Sequence, residues 1–165
     1  MIKLIKNFSL RLIITIVVFS ILKIKNVTNL PLLVGLLFVF DLLDCGLLSF
    51  FPNDCGTSEY QRWDKIIDLV VYILFFALFR NLFDDFTKNI LIGFILFRLI
   101  GVIKFYTTGN TLYLKLFPDF INSTLAAYVI YQYFDLNTHS YYVLIIIGMI
   151  VKILFEMKIH SEILR

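Results

Sequence analysis

Charge is scarce in this chain. Only 16% of its 165 residues are Asp, Glu, Lys or Arg, against about 25% in ordinary soluble domains. A protein this small has much surface for its volume, and so few charges do not cover it. Cysteine is scarcer still, with Cys45 and Cys55 alone, and the two histidines, His139 and His160, lie far from them. A structural zinc site draws on about four clustered ligands, so zinc is set aside. No basic stripe with interleaved aromatics is present, which argues against a nucleic-acid partner. Internal repeats, linkers and low-complexity segments are also missing, and the length fits one domain, residues 1–165.

What fills the chain instead is apolar. Hydrophobic residues make up 60%, well above the roughly 45–50% of soluble domains, so lipid is the expected solvent for much of the surface. Six apolar runs lie between polar breaks: Phe8 to Leu22, Leu30 to Phe51, Trp63 to Phe79, Ile90 to Tyr106, Phe117 to Phe134 and Tyr141 to Phe155. Several fall short of the roughly 20 residues that cross a hydrocarbon core, and flanking Tyr, Trp, Lys and Arg supply the missing length in the interface. A soluble bundle would show a polar face at helical spacing, and Leu12–Leu22 and Tyr141–Ile150 show none. The expected fold is all-α, a polytopic membrane helical bundle of about six transmembrane helices. Lys3, Lys6 and Arg11 make a basic n-region ahead of Leu12 to Leu22, an h-region of signal-peptide length, but Lys23-Ile-Lys25 offers no small-x-small cleavage site. That run is read as an uncleaved first span.

Basic residues set the orientation. With six spans and a cytosolic N-terminus, Lys3, Lys6, Arg11, Arg62, Lys65, Lys104, Lys115, Lys158 and Arg165 lie inside. Lys23, Lys25, Arg80 and Lys88 lie outside, and the excess favours both termini in the cytosol. The loop holding Cys45 and Cys55 then faces a reducing compartment, which disfavours a disulfide. Asn26-Val-Thr28 fits a glycosylation pattern on the outer side, one common by chance. Membrane lipids are the expected partners, and the sequence leaves homo-oligomer formation open.

The one chemical hint is acidic. Carboxylates inside a span cost about 2.5–3.5 kcal/mol each on insertion scales, yet Asp41, Asp44, Asp64 and Asp68 all fall in or beside the second and third runs. Asp41 and Asp44 are three apart and Asp64 and Asp68 four apart, so each pair shares a helix face. A short loop makes the two helices antiparallel neighbours, and the four carboxylates then converge at their cytosolic end. Unpaired, they would repel and raise one another's pKa values. Divalent cations such as Mg²⁺ would neutralise them. Pairing with Arg62, Lys65 or Arg98 would do the same as a structural network, and wet helix ends are the third reading.

The order Asp41-Leu-Leu-Asp44-Cys-Gly46 followed by Asp64-Lys-Ile-Ile-Asp68 resembles the signature of the CDP-alcohol phosphatidyltransferases. That family carries Asp-x-x-Asp-Gly-x-x-Ala-Arg and then Gly-x-x-x-Asp-x-x-x-Asp. The resemblance covers about 28 residues, and it departs from the pattern at Cys45, at the absent Ala-Arg pair, at Tyr60 in place of the second glycine and in a spacing two residues longer. It implies six membrane helices with a site at the cytosolic ends of the second and third. It also implies Asp41, Asp44 and Asp64 as ligands of Mg²⁺ or Mn²⁺, with Asp68 as ligand or catalytic base. A second stretch, Tyr60-Gln-Arg-Trp-Asp-Lys-Ile-Ile-Asp68 with Arg98-Leu-Ile-Gly101 and Phe117-Pro-Asp-Phe120, is similar to uncharacterised bacterial and viral multi-span proteins and implies no activity.

Other residues have plainer readings. Arg98, mid-run, is expected to face the bundle interior and hold a phosphate or an aspartate. Lys152 and Glu156 form an i, i+4 pair that eases burial. Thr107-Thr-Gly-Asn110 is a turn. Two functions stay open from the sequence: a metal-dependent transferase of phosphate-containing lipid headgroups, with Asp68 taking a proton from the acceptor alcohol and Arg98 binding substrate, or a non-enzymatic multi-span protein such as a transporter, assembly factor or structural component.

Overall fold

The computed structural model describes residues 2–42 and 58–162. Most of these residues are helical, and no strand occurs among them. In chain order they form α1 (Ile2–Ile24), α2 (Leu30–Leu42), α3 (Ser58–Phe79), a 3₁₀ turn (Arg80–Leu82), α4 (Asp85–Thr108), α5 (Leu112–Leu116), α6 (Ile121–Tyr133) and α7 (Thr138–Glu162). The helices group into two compact units, Met1–Phe83 and Asp84–Arg165.

In the first unit α1 packs along α3, and α2 joins them through its buried face of Leu33, Leu37 and Phe40. The turn before α2 is built from local chemistry. Asn26 takes the left-handed conformation at φ 53°, which Asn tolerates better than most residues, and the Val27 N–H reaches back to the Leu22 carbonyl at 3.0 Å. Asn29 Oδ1 then accepts from the Leu32 N–H at 3.0 Å and caps α2. Pro31 sits in the first helical turn, where no partner is needed for the N–H that proline lacks. Phe19, fully buried, holds the unit's aromatic centre with ring centroids 5.6 Å from Phe40, 5.5 Å from Phe75 and 5.9 Å from Phe79.

In the second unit α6 and α7 pack as an antiparallel pair, and α4 and α5 close over them. Asp84 caps α4 by accepting from the Thr87 N–H at 2.7 Å. The Tyr128 hydroxyl takes the Asp84 N–H at 3.2 Å, and Thr87 shares a 2.9 Å hydrogen bond with Tyr141. Gly109, at φ 70°, ends α4 with its N–H on the Phe105 carbonyl at 2.8 Å, so the expected turn at Thr107–Asn110 forms. Gly101 lies where α4 meets the backbone after α5, and a Cβ there would overlap the Phe117 side chain.

The helix limits refine the expected runs. The fifth run was placed at Phe117 to Phe134, but α6 begins at Ile121. Pro118 has no N–H to continue a helix through it, and Asp119 Oδ1 accepts from the Ile121 N–H at 2.9 Å, which sets the start. Two of the described helices are both long and apolar enough to cross a membrane, Asp85–Thr108 and Thr138–Phe155. Residues 30–41 form a shorter apolar helix.

Candidate functional site

The polar heart of the first unit is assembled from three helices. Arg11 lies on α1 one turn before Thr15, whose hydroxyl donates to the Arg11 carbonyl at 2.8 Å. Both residues are buried. Asp64 and Asp68 are one turn apart on α3, which starts at Ser58, five residues ahead of the apolar run. Both acids lie within the second turn or later of that helix, and the i, i+4 spacing turns them to one side.

Arg11 stands between them. Its Nη1 donates to Asp64 Oδ1 at 3.2 Å and its Nη2 to Asp68 Oδ1 at 2.7 Å. The second oxygens of the same carboxylates face Lys65, with Nζ 2.6 Å from Asp64 Oδ2 and 3.2 Å from Asp68 Oδ2. Arg11, Asp64, Lys65 and Asp68 thus close a ring in which every carboxylate oxygen meets a cation. Asp41 of α2 approaches from outside the ring, 3.7 Å from Arg11 Nη2, with its side chain 35% exposed. Three carboxylates and two cations leave one formal negative charge among these five groups. Burial weakens dielectric screening and makes each pairing strong, while desolvation costs several kcal/mol per ion. The cluster ties α1 to α3 through paired charge.

Three of the four expected acids, Asp41, Asp64 and Asp68, come together, whereas Asp44 lies outside the described residues, as do Cys45, Gly46 and Cys55. Lys65 pairs with the acids as one reading held. Arg98 belongs to the second unit, where its buried guanidinium donates from Nη1 to the Phe117 carbonyl at 2.7 Å, close to the ring contact of Phe97 with Phe117 at 4.8 Å. The residue missed from the sequence is Arg11. It reads there as a headgroup anchor near the start of the first run, and the available signal was the need of so many acids for a cation on a neighbouring helix.

The family resemblance implies a divalent metal at these acids. A two-metal centre needs carboxylate oxygens free to converge on ions about 3.5–4 Å apart. Here both oxygens of Asp64 and of Asp68 already face guanidinium or ammonium nitrogens, and Arg11 fills the space between the two acids. As arranged, the described residues do not fit a divalent pair. Among known proteins, no family model, curated protein or solved structure matches the chain.

Proposed function

We propose that this chain is a non-enzymatic multi-pass membrane protein with cytosolic termini, in which the acidic cluster is an ion-pair clamp joining the first three helices. The single observation that carries the clamp is the closed ring of Arg11, Asp64, Lys65 and Asp68. Charges in lipid persist only when paired or wetted, and this pairing gives each acid of the ring two cationic neighbours. Membrane embedding is supported by the two long apolar helices and by the outward apolar residues of α7, with Val143, Ile146, Ile150 and Leu154 all exposed. Exposed apolar surface of that extent belongs in contact with lipid or with a partner.

Three measurements test the reading. Alkaline carbonate extraction should leave the chain in the membrane pellet, and cysteine labelling should place both termini on the cytosolic side. Calorimetric titration with Mn²⁺ should show no saturable site that disappears in Asp64→Asn.

A second reading, the phosphatidyltransferase-like enzyme using Mg²⁺ or Mn²⁺, is favoured by one observation: Asp41, Asp64 and Asp68 do meet at one place on α2 and α3. It requires Arg11 and Lys65 to leave the carboxylates. A stoichiometric Mn²⁺ site lost in Asp64→Asn would replace the clamp with this reading.

A further inference from the structure

Neither α5 nor α6 is long enough to cross a membrane by itself. At ~1.5 Å per residue their five and 13 residues extend roughly 8 and 20 Å, short of a hydrocarbon core about 30 Å thick. Together, however, residues 112–133 climb α4 in a single direction. Gly101 of α4 faces the Tyr113 carbonyl and the Phe117 side chain, and Arg98 binds the Phe117 carbonyl. Further along, the Phe94 ring lies 5.2 Å from that of Phe120, and the Asp84 N–H meets the Tyr128 hydroxyl. The two short helices thus trace one path antiparallel to α4. Then α7 returns beside α6, with Gly148 against Ser123.

The path is interrupted at residues 117–120. In an unbroken α-helix the Phe117 carbonyl would take the N–H four residues on, that of Ile121. Here Asp119 Oδ1 takes that N–H at 2.9 Å, and Pro118 brings no N–H at all. The carbonyl freed in this way receives Arg98 Nη1 at 2.7 Å, from a residue only 3% exposed. Irregular backbone at membrane depth persists only where protein or water satisfies it, and here a buried cation and a buried carboxylate do so. The depth follows from α4, which runs roughly 20 Å from Asp85 to Arg98 and roughly 15 Å from Arg98 to Thr108. The break therefore lies near the middle of that span. A cation is costly there, and the carbonyl it meets gives it a reason to be in place. We propose that α5 and α6 are one membrane crossing interrupted near mid-depth, with Arg98 as the latch that holds its break closed. Losing the latch leaves the Phe117 carbonyl without its donor and opens the break to water. This device rests on the membrane reading, and on nothing in the charged cluster of the first unit.

The test uses the full-length chain in two arms. In sealed membrane vesicles, Leu112→Cys and Phe134→Cys, both at exposed positions, are introduced singly after Cys45→Ser and Cys55→Ser. An impermeant maleimide should reach them from opposite sides, and labelling of both from one side would overturn the crossing. In detergent, amide exchange read by mass spectrometry should be slow across residues 119–121 of the wild type. Arg98→Met should speed it about tenfold, the scale of one lost hydrogen bond to a charged group, with the centre of α7 unchanged. Gly101→Ala, whose methyl group displaces Phe117, should do the same with Arg98 still present. Fast exchange in the wild type, no change in either variant, or equal acceleration along α7 would overturn the latch. Failure of the membrane reading is separable, because the chain would then leave the pellet in carbonate.

Discussion

In the first unit buried charge meets opposite charge on another helix, whereas in the second it meets the backbone. Arg11 of α1 is held by carboxylates of α3, more than fifty residues away in sequence. Arg98 of α4 is held by the Phe117 carbonyl, and Asp119 by the Ile121 N–H. The remaining polar atoms at the heart of the second unit include the hydroxyls of Thr87 and Tyr141, which satisfy each other. The two solutions differ in what a mutation leaves behind. Removing one member of an ion-pair ring leaves full charges stranded, while removing a donor from a carbonyl leaves one dipole unmet.

The largest effect should therefore come from Arg11→Gln, which takes the guanidinium from between Asp64 and Asp68. Breaking a buried pair of this kind costs about 3–5 kcal/mol, to be read as a drop in unfolding temperature of the detergent-solubilised protein. Arg98→Met keeps most of the side-chain bulk and removes one donor, so its expected cost is about 1–3 kcal/mol. If the two variants prove equal, the contrast between the units is broken. Asp84→Ala takes away the α4 cap and the partner of the Thr87 N–H, with a loss of about 1 kcal/mol, seen as faster amide exchange in the first turn of α4. Smallest is Asp41→Asn: its carboxylate is partly exposed and 3.7 Å from Arg11, so solvent screening limits the change to about 0–1 kcal/mol. A loss as large as that of Arg11→Gln would make Asp41 a full member of the ring.

Much of this was legible in the residues themselves. Helical class follows from the apolar runs, and the turn at Gly109 and the meeting of Asp41 with Asp64 and Asp68 follow from spacing. The start of α6 was misplaced because Phe117 extends the apolar run through Pro118, and hydropathy does not register a missing N–H. Asp119 as the hydrogen-bond acceptor just ahead of α6 was there to be read. Arg11 was harder. At the edge of the first run it has the same local pattern as any residue anchored in headgroups, and only the packing of α1 on α3 takes it into the interior. Arg98 was placed inside correctly, but its partner is a carbonyl that no side-chain pattern announces. Long-range pairing of this type depends on tertiary geometry, to which helical periodicity is blind.

Phe19 offers a practical handle on the first unit. Its ring sits edge-on to Phe40, Phe75 and Phe79, so it lies in the magnetic shadow of rings from two other helices. A fluorine atom introduced there would resonate at a shifted frequency only while α1, α2 and α3 are assembled. One spectral line would then report the integrity of all three.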